Sequence, residues 1–233
     1  AAMNTDVHAF FIKWLQDLAD AQRNDGQFPM VAPLKVAESD GGPAWADAGV
    51  ICPWTAYQVY GDKQLLERQY PSMVKFIEFC KNRSTPELLP PAQFHCFGDW
   101  LNIDDNTPSD VIYTAYFALS TQFTAQAAQV LGKTEDARKY NELYQDIKAA
   151  FNKAYVAADG KIKGDTQTAY VLAIAVDLVD GPMYKTAANR LVGLIEKRNW
   201  HLSTGFIGTK DLMLVLAKIG RNDVAYRLLH NET

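Results

Sequence analysis

The chain has 233 residues, of which 48% are hydrophobic and 21% charged, and its net charge is −4. This is enough to bury a full core and predicts a single domain over 1–233. The Lys and Arg residues are scattered, which excludes a nucleic-acid footprint, and no apolar run approaches the roughly 18 residues that span a bilayer.

Helical periodicity dominates from one end to the other. Helices are predicted over 3–23, 47–60, 63–82, 109–131, 135–155, 165–179, 183–198, 209–219 and from 223 onward. Pro71 is expected to break or kink the third of these, because it removes a backbone donor and clashes with the preceding turn. From Ile112 the apolar residues recur at Tyr116, Leu119, Phe123, Ala127 and Val130, and from Ala137 at Tyr140, Tyr144, Ile147, Phe151 and Ala154. Steps of three and four define two amphipathic helices. Between them Gly132 suits a left-handed helix end and Thr134 a cap, so the pair forms an antiparallel hairpin. Tyr60-Gly61-Asp62 and Ile219-Gly220-Arg221-Asn222 repeat that punctuation, and Asp180-Gly181-Pro182 places proline at a helix start. The spacing is uneven, which disfavours a fixed-period solenoid.

Two connections are long and rich in Gly, Pro and Asp: 25–44 and 82–107. Short turns at one end of a set of hairpins and long loops at the other place function at the long-loop end. Both segments with a Trp beside a carboxylate, Gly41 to Ala48 (GGPAWADA) and Phe97 to Leu101 (FGDWL), fall at this long-loop end. An indole face stacks on the C–H groups of a sugar ring, and a carboxylate accepts its hydroxyl protons. Asp47 also suits a cap for the helix that follows it. Asp104, Asp105 and Asp110 read as loop solvation or a helix cap, with Asp110 or Ser109 starting the helix at Val111. His201 precedes Ser203-Thr204-Gly205, a further loop of the same kind, and is a candidate substrate contact. Trp14 and Trp54 lie on helical runs and read as core.

Cys52, Cys80 and Cys96 are odd in number and far apart, against a disulfide framework or a zinc site. They read as reduced, mostly buried thiols, compatible with a cytoplasmic setting without fixing the compartment. His95 beside Cys96 lacks the further ligands a metal needs. No metal or organic cofactor is expected.

Four runs taken together resemble a known family. WLQDLADAQRNDGQFPMVAP (Trp14 to Pro33), GPAWADAGVICPW (Gly42 to Trp54), YGDKQLLERQYPSM (Tyr60 to Met73) and FGDWL are similar, in order and spacing, to the catalytic domain of bacterial α-L-rhamnosidases. The resemblance covers essentially the whole chain and implies an all-α, (α/α)6 barrel of helical hairpins. About nine of its twelve helices are expected here. It implies hydrolysis of terminal α-L-rhamnosides with inversion, a rhamnoside as the partner, and Trp45 and Trp100 as walls of the rhamnose subsite. A 6-deoxy sugar, with its methyl group and apolar ring face, suits aromatic walls. Asp47 and Asp99 are implied as hydroxyl acceptors or as groups that orient the walls, and His201 completes the set of candidate contacts.

Inverting hydrolysis needs a general acid and a general base roughly 6.5 to 9.5 Å apart. The family's acid lies in a segment of the form D-x-x-x-R-x-E-R-x-x-W-x-G-D, expected before residue 1, and its base in T-x-W-E-x-W, expected after Thr233; neither motif is in this sequence. The Glu residues are Glu38, Glu67, Glu78, Glu87, Glu135, Glu142, Glu196 and Glu232, and they read as solvated charge, with Glu38 set apart only by its long loop. No catalytic residue is assigned. The chain is expected to be a fragment, inactive alone, whose open barrel ends expose apolar faces and favour self-association. Another six-hairpin glycosidase, or a non-catalytic carbohydrate- or protein-binding helical domain, is the competing reading.

Overall fold

Among the residues described by the computed structural model, 4–35 and 42–231, there are nine α-helices and no β-strand. They are α1 (His8–Asp20), α2 (Ala48–Tyr60), α3 (Lys63–Arg83), α4 (Ser109–Val130), α5 (Thr134–Tyr155), α6 (Gln167–Ala175), α7 (Gly181–Lys197), α8 (Phe206–Lys218) and α9 (Asn222–Leu229). Each predicted helix has its counterpart. Glu38, Gly41 and Glu232 lie outside the described residues. The ends follow the chemistry of the turns. Gly132 and Gly220 take positive φ, and the next N–H reaches back, Lys133 to the Ala128 carbonyl and Arg221 to the Leu216 carbonyl.

Two helices end the same way without glycine. Asp177 and Asn199 take φ of 55° and 54°, and Leu178 N–H and Trp200 N–H bond the carbonyls of Ala173 and Ile195. This stops α6 at Ala175, four residues before the predicted 179. Short polar side chains tolerate the left-handed region, and Lys218 fixes this one by donating to both the Ile174 carbonyl and Asp177. Pro71, expected to break or kink its helix, does not break it. It lies inside an unbroken 21-residue α3, because a proline costs one helical hydrogen bond that packing of Met73, Phe76 and Ile77 outweighs. Between α5 and α6 an unpredicted isolated antiparallel bridge joins Val156 to Ile162.

The chain divides into two compact units, Ala1–Cys96 with Tyr116–Ile147, and Phe97–Ala115 with Lys148–Thr233. In the first, α1 packs on α2 and α3 through Leu15, Ala56 and Leu65, with Phe11, Trp14, Cys52 and Tyr60 around them. Trp14 Nε1 donates to the Ala32 carbonyl at 3.2 Å, which fastens the long loop to α1. Trp54 is buried against Tyr57 and Phe123. Phe28 plugs the same loop onto α2: a Cβ on Gly49 would sit 2.2 Å from its ring.

In the second unit α6 is the centre. Every residue from Gln167 to Ile174 is buried, and α7 and α8 pack on it. A helix buried all round has no amphipathic stripe, as its run of Ala, Val, Leu, Ile and Tyr requires. Its polar N-terminal turn, Thr166-Gln167-Thr168, is buried too and must find its hydrogen bonds in loops.

Two Gly→Ala substitutions separate close packing from intrinsic helix preference. Gly49→Ala should destabilise by about 1–3 kcal/mol through its clash with Phe28, whereas Gly193→Ala, with nothing within 4 Å of the new methyl, should stabilise by up to about 1 kcal/mol. Urea denaturation of both variants checks the opposite signs.

Candidate functional site

The first Trp–carboxylate loop lies in the first unit. Pro43 to Asp47 form a turn entering α2, in which Ala44 has φ of 74° and Trp45 is half-buried. A left-handed alanine is strained, and a bond to its N–H compensates: Asp47 Oδ2 accepts from Ala44 N at 2.8 Å. Asp47 Oδ1 accepts from Ser120 Oγ of α4 at 2.5 Å. Asp47 thus stands at the cap position without capping, its side chain turned back to the turn and across to α4 rather than to the N–H groups of α2. It is 2% exposed, and burial pushes its carboxyl from 3.8 up to about 6 against the lowering effect of the Ser120 and Ala44 bonds.

The second loop lies in the second unit. Asp99 is 1% exposed, and both its oxygens accept from the chain. Thr168 Oγ1 (2.5 Å) and Gly205 N–H (2.7 Å) reach Oδ2, and Ile207 N–H (2.8 Å) and Gly208 N–H (3.4 Å) reach Oδ1. Three of these donors are the orphan N–H groups at the start of α8, so a residue distant in sequence caps that helix. Trp100 follows, 47% exposed, with Phe97 edge-on to it at 5.8 Å between ring centroids. Next along, Asp105 Oδ2 accepts from Gln167 N–H at 3.2 Å and from the Ser203 hydroxyl, and Thr107 bonds Thr166 at 2.7 Å. Of the two uses expected for Asp105, loop solvation and a helix cap, the structure has it accepting from the first N–H of α6.

His201 lies in the second unit as well. Its Nδ1 donates to the Arg198 carbonyl at 2.8 Å, and its Nε2 lies 3.2 Å from Asn231 Nδ2. With Ile103, Arg198, Asn199 and Leu202 it lines a cleft of about 450 Å³. Beside it Arg227 lies 3.8 Å over the Trp200 ring.

Among the described residues no group of three or more His, Cys, Asp or Glu is placed to hold a metal ion, and no helix is long and apolar enough to cross a membrane. Cys52, Cys80 and Cys96 are not joined in disulfides, and burial pushes the Cys52 thiol up to about 11. Of the described glutamates, Glu67, Glu87, Glu135, Glu142 and Glu196 are exposed, and half-buried Glu78 accepts from Lys139 at 2.6 Å and Tyr140 at 3.2 Å.

A family model described as the bacterial alpha-L-rhamnosidase 6 hairpin glycosidase domain matches residues 1–233. The chain belongs to this family. It is 50% identical, over its whole length, to an alpha-L-rhamnosidase of Streptomyces avermitilis, of which it covers 22%. A crystal structure of S. avermitilis alpha-L-rhamnosidase complexed with L-rhamnose superimposes on 98% of the chain and 22% of its own, with a TM-score of 0.93. The alpha-L-rhamnosidase of Aspergillus terreus matches the whole chain and 28% of its own, at 29% identity and a TM-score of 0.93. The all-α fold is thus the six-hairpin fold of the rhamnosidases. The chain spans about a quarter of the length of the curated relatives it matches, 22% to 26%.

Sequence reasoning missed the hydroxyl partners Ser120 and Thr168 and the backbone partners Gly205, Ile207 and Gly208 of this rhamnosidase-family domain. The available signal was a set of polar residues at apolar helical positions: Ser120, Thr121, Thr124, Gln167 and Thr168, none more than 1% exposed. The Asp47 carboxyl should titrate in ¹³C NMR with a midpoint near 6. The folded state then holds the proton more tightly than the unfolded chain, so this group's contribution favours folding below about pH 4. It is lost as pH rises through 6. Asp47→Asn should gain up to about 3 kcal/mol on the wild type between pH 4 and 7, read from denaturation at each pH.

Proposed function

We propose that this chain supplies sugar-binding elements of an enzyme that hydrolyses terminal α-L-rhamnosides with inversion, within one catalytic domain to which residues 1–233 contribute. The observation that carries the reading is Trp100: a large aromatic 47% exposed on a loop anchored by a buried carboxylate, in a chain whose 50%-identical relative is an alpha-L-rhamnosidase. Trp45 in the first unit and Trp100 in the second are each a candidate stacking face for the deoxy sugar, and His201 a candidate contact at the rim of its own cleft. Asp47 and Asp99 act on the sugar indirectly, by holding their loops, since their oxygens already accept from the chain. The general acid and base come from residues outside this chain: its described glutamates are exposed or, for Glu78, paired, and none lies in a motif of the catalytic type.

The 233-residue chain should release no p-nitrophenol from p-nitrophenyl α-L-rhamnoside. L-rhamnose at millimolar concentration should shift the indole N–H signals of Trp45 and Trp100 in ¹H–¹⁵N spectra, and Trp100→Ala should weaken binding about tenfold, ~1.4 kcal/mol. Turnover by the chain would overturn the assignment of the acid and base to residues elsewhere. Silence of both indoles would overturn the sugar site.

Self-association is proposed on separate grounds. Leu214 on α8 is 70% exposed, and Tyr226 and Leu229 on α9 are 65% and 66% exposed. Sedimentation at tens of micromolar should show dimers or larger species, and a monomer across that range would rule the proposal out.

A further inference from the structure

The carboxylate of Asp99 gathers donors that lie 69, 106, 108 and 109 positions away in sequence. A group whose only task was to close its own turn would bond within that turn. Here the turn is closed by other atoms: the Asp99 carbonyl accepts from Asn102 N–H at 3.0 Å and from Asn102 Nδ2 at 2.9 Å. The side chain is left to bind the first turn of α8 and Thr168 of α6. The next carbonyl along, that of Trp100, accepts from Phe206 N–H at 2.9 Å. Residues 99 and 100 are therefore bonded, side chain and main chain, to four consecutive N–H groups, those of 205, 206, 207 and 208.

The fit leaves no room for adjustment. A Cβ at residue 205 would lie 2.2 Å from the Trp100 carbonyl oxygen, 2.6 Å from the Asp99 carbonyl oxygen and 2.7 Å from Asn102 N. A Cβ at residue 208 would lie 2.3 Å from Thr168 Oγ1. Leu101, directly after the indole, takes φ of 63°, a left-handed conformation that a leucine holds only when its surroundings over-determine it. On the other side Phe97 meets the indole edge-on at an interplanar angle of 89°.

We infer that Asp99 is a positioning residue, which sets the Trp100 indole for the sugar by tying its loop to the start of α8 and to Thr168. The inference rests on the reading of Trp100 as a sugar-stacking wall. A ring ordered before the sugar arrives forfeits less binding free energy to ordering it afterwards, so loosening the clamp should weaken binding without touching any sugar contact.

Asp99→Asn keeps the size of the side chain but turns an amide N–H₂ toward N–H donors, and Thr168→Val removes a single hydroxyl donor while keeping its shape. Both are read in the 233-residue chain by the Trp100 indole N–H signal, assigned by its loss in Trp100→Phe, and by titration with L-rhamnose. In Asp99→Asn the signal should move or broaden and the L-rhamnose dissociation constant should rise about tenfold. Thr168→Val should do the same to a smaller extent with unchanged helical circular dichroism, and Thr168→Ser should restore both readouts. Should Asp99→Asn not fold, the Thr168 pair decides. A folded Thr168→Val with the wild-type Trp100 signal overturns the inference. A variant that displaces the signal while the wild type ignores L-rhamnose upholds the positioning role and overturns the sugar reading instead.

Discussion

A buried carboxylate is expensive unless every lone pair finds a donor, and much of the second unit is arranged around satisfying one. Asp99, 1% exposed, takes four donors, three of them backbone N–H groups that the start of a helix must otherwise leave unpaired. Two liabilities cancel: the helix start supplies donors that would be orphaned, and the carboxylate supplies charge that its dipole favours. The adjacent N-terminal turn of α6 extends the principle. Thr166 bonds Thr107, the Gln167 side chain donates to the His201 carbonyl and accepts from Ser203 N–H, and Thr168 bonds Asp99. One buried polar turn thereby fixes both the 97–108 and the 198–205 segments.

Asp47 faces the same problem with fewer donors. It has the Ser120 hydroxyl and the Ala44 N–H, and the shortfall shows as a carboxyl that holds its proton up to about 6. What it gains is the shape of the Trp45 turn, where a left-handed alanine is tolerated because its N–H is bonded. In each loop the Trp is presented by a neighbouring Asp whose own oxygens are engaged within the chain. A carboxylate beside an indole, which reads in sequence as a sugar-hydroxyl acceptor, is here bonded within the chain to its own loop and its neighbours.

The helices were legible because periodicity and turn chemistry are local. Gly132 and Gly220 marked ends that the structure has, and the runs around Ile112 and Ala137 lie on α4 and α5. What local signals could not carry was the use of Asp177 and Asn199 in place of glycine, because an Asp or Asn in a helical pattern has many other uses. Pro71 does not end its helix for the complementary reason: its penalty is local, and the packing that outweighs it is not. The four-motif resemblance placed the Trp loops, but a carboxylate's partners are decided by which helix starts nearby. No spacing announces that Asp99 caps α8 from more than a hundred positions away.

The complete burial of α6 bears on how the Trp100 loop can move. A loop fastened to a surface helix can open by fraying that helix, a local event with a small free-energy cost. The Trp100 loop is bonded to the first turn of α8 and, through Thr168, to α6, whose residues Gln167 to Ile174 are all buried. Releasing it means disturbing the centre of the unit, so its amides belong with the core in hydrogen-exchange terms. Plasticity of this loop and stability of the unit are then one quantity, and a substitution that makes the loop adaptable does so by loosening the core itself.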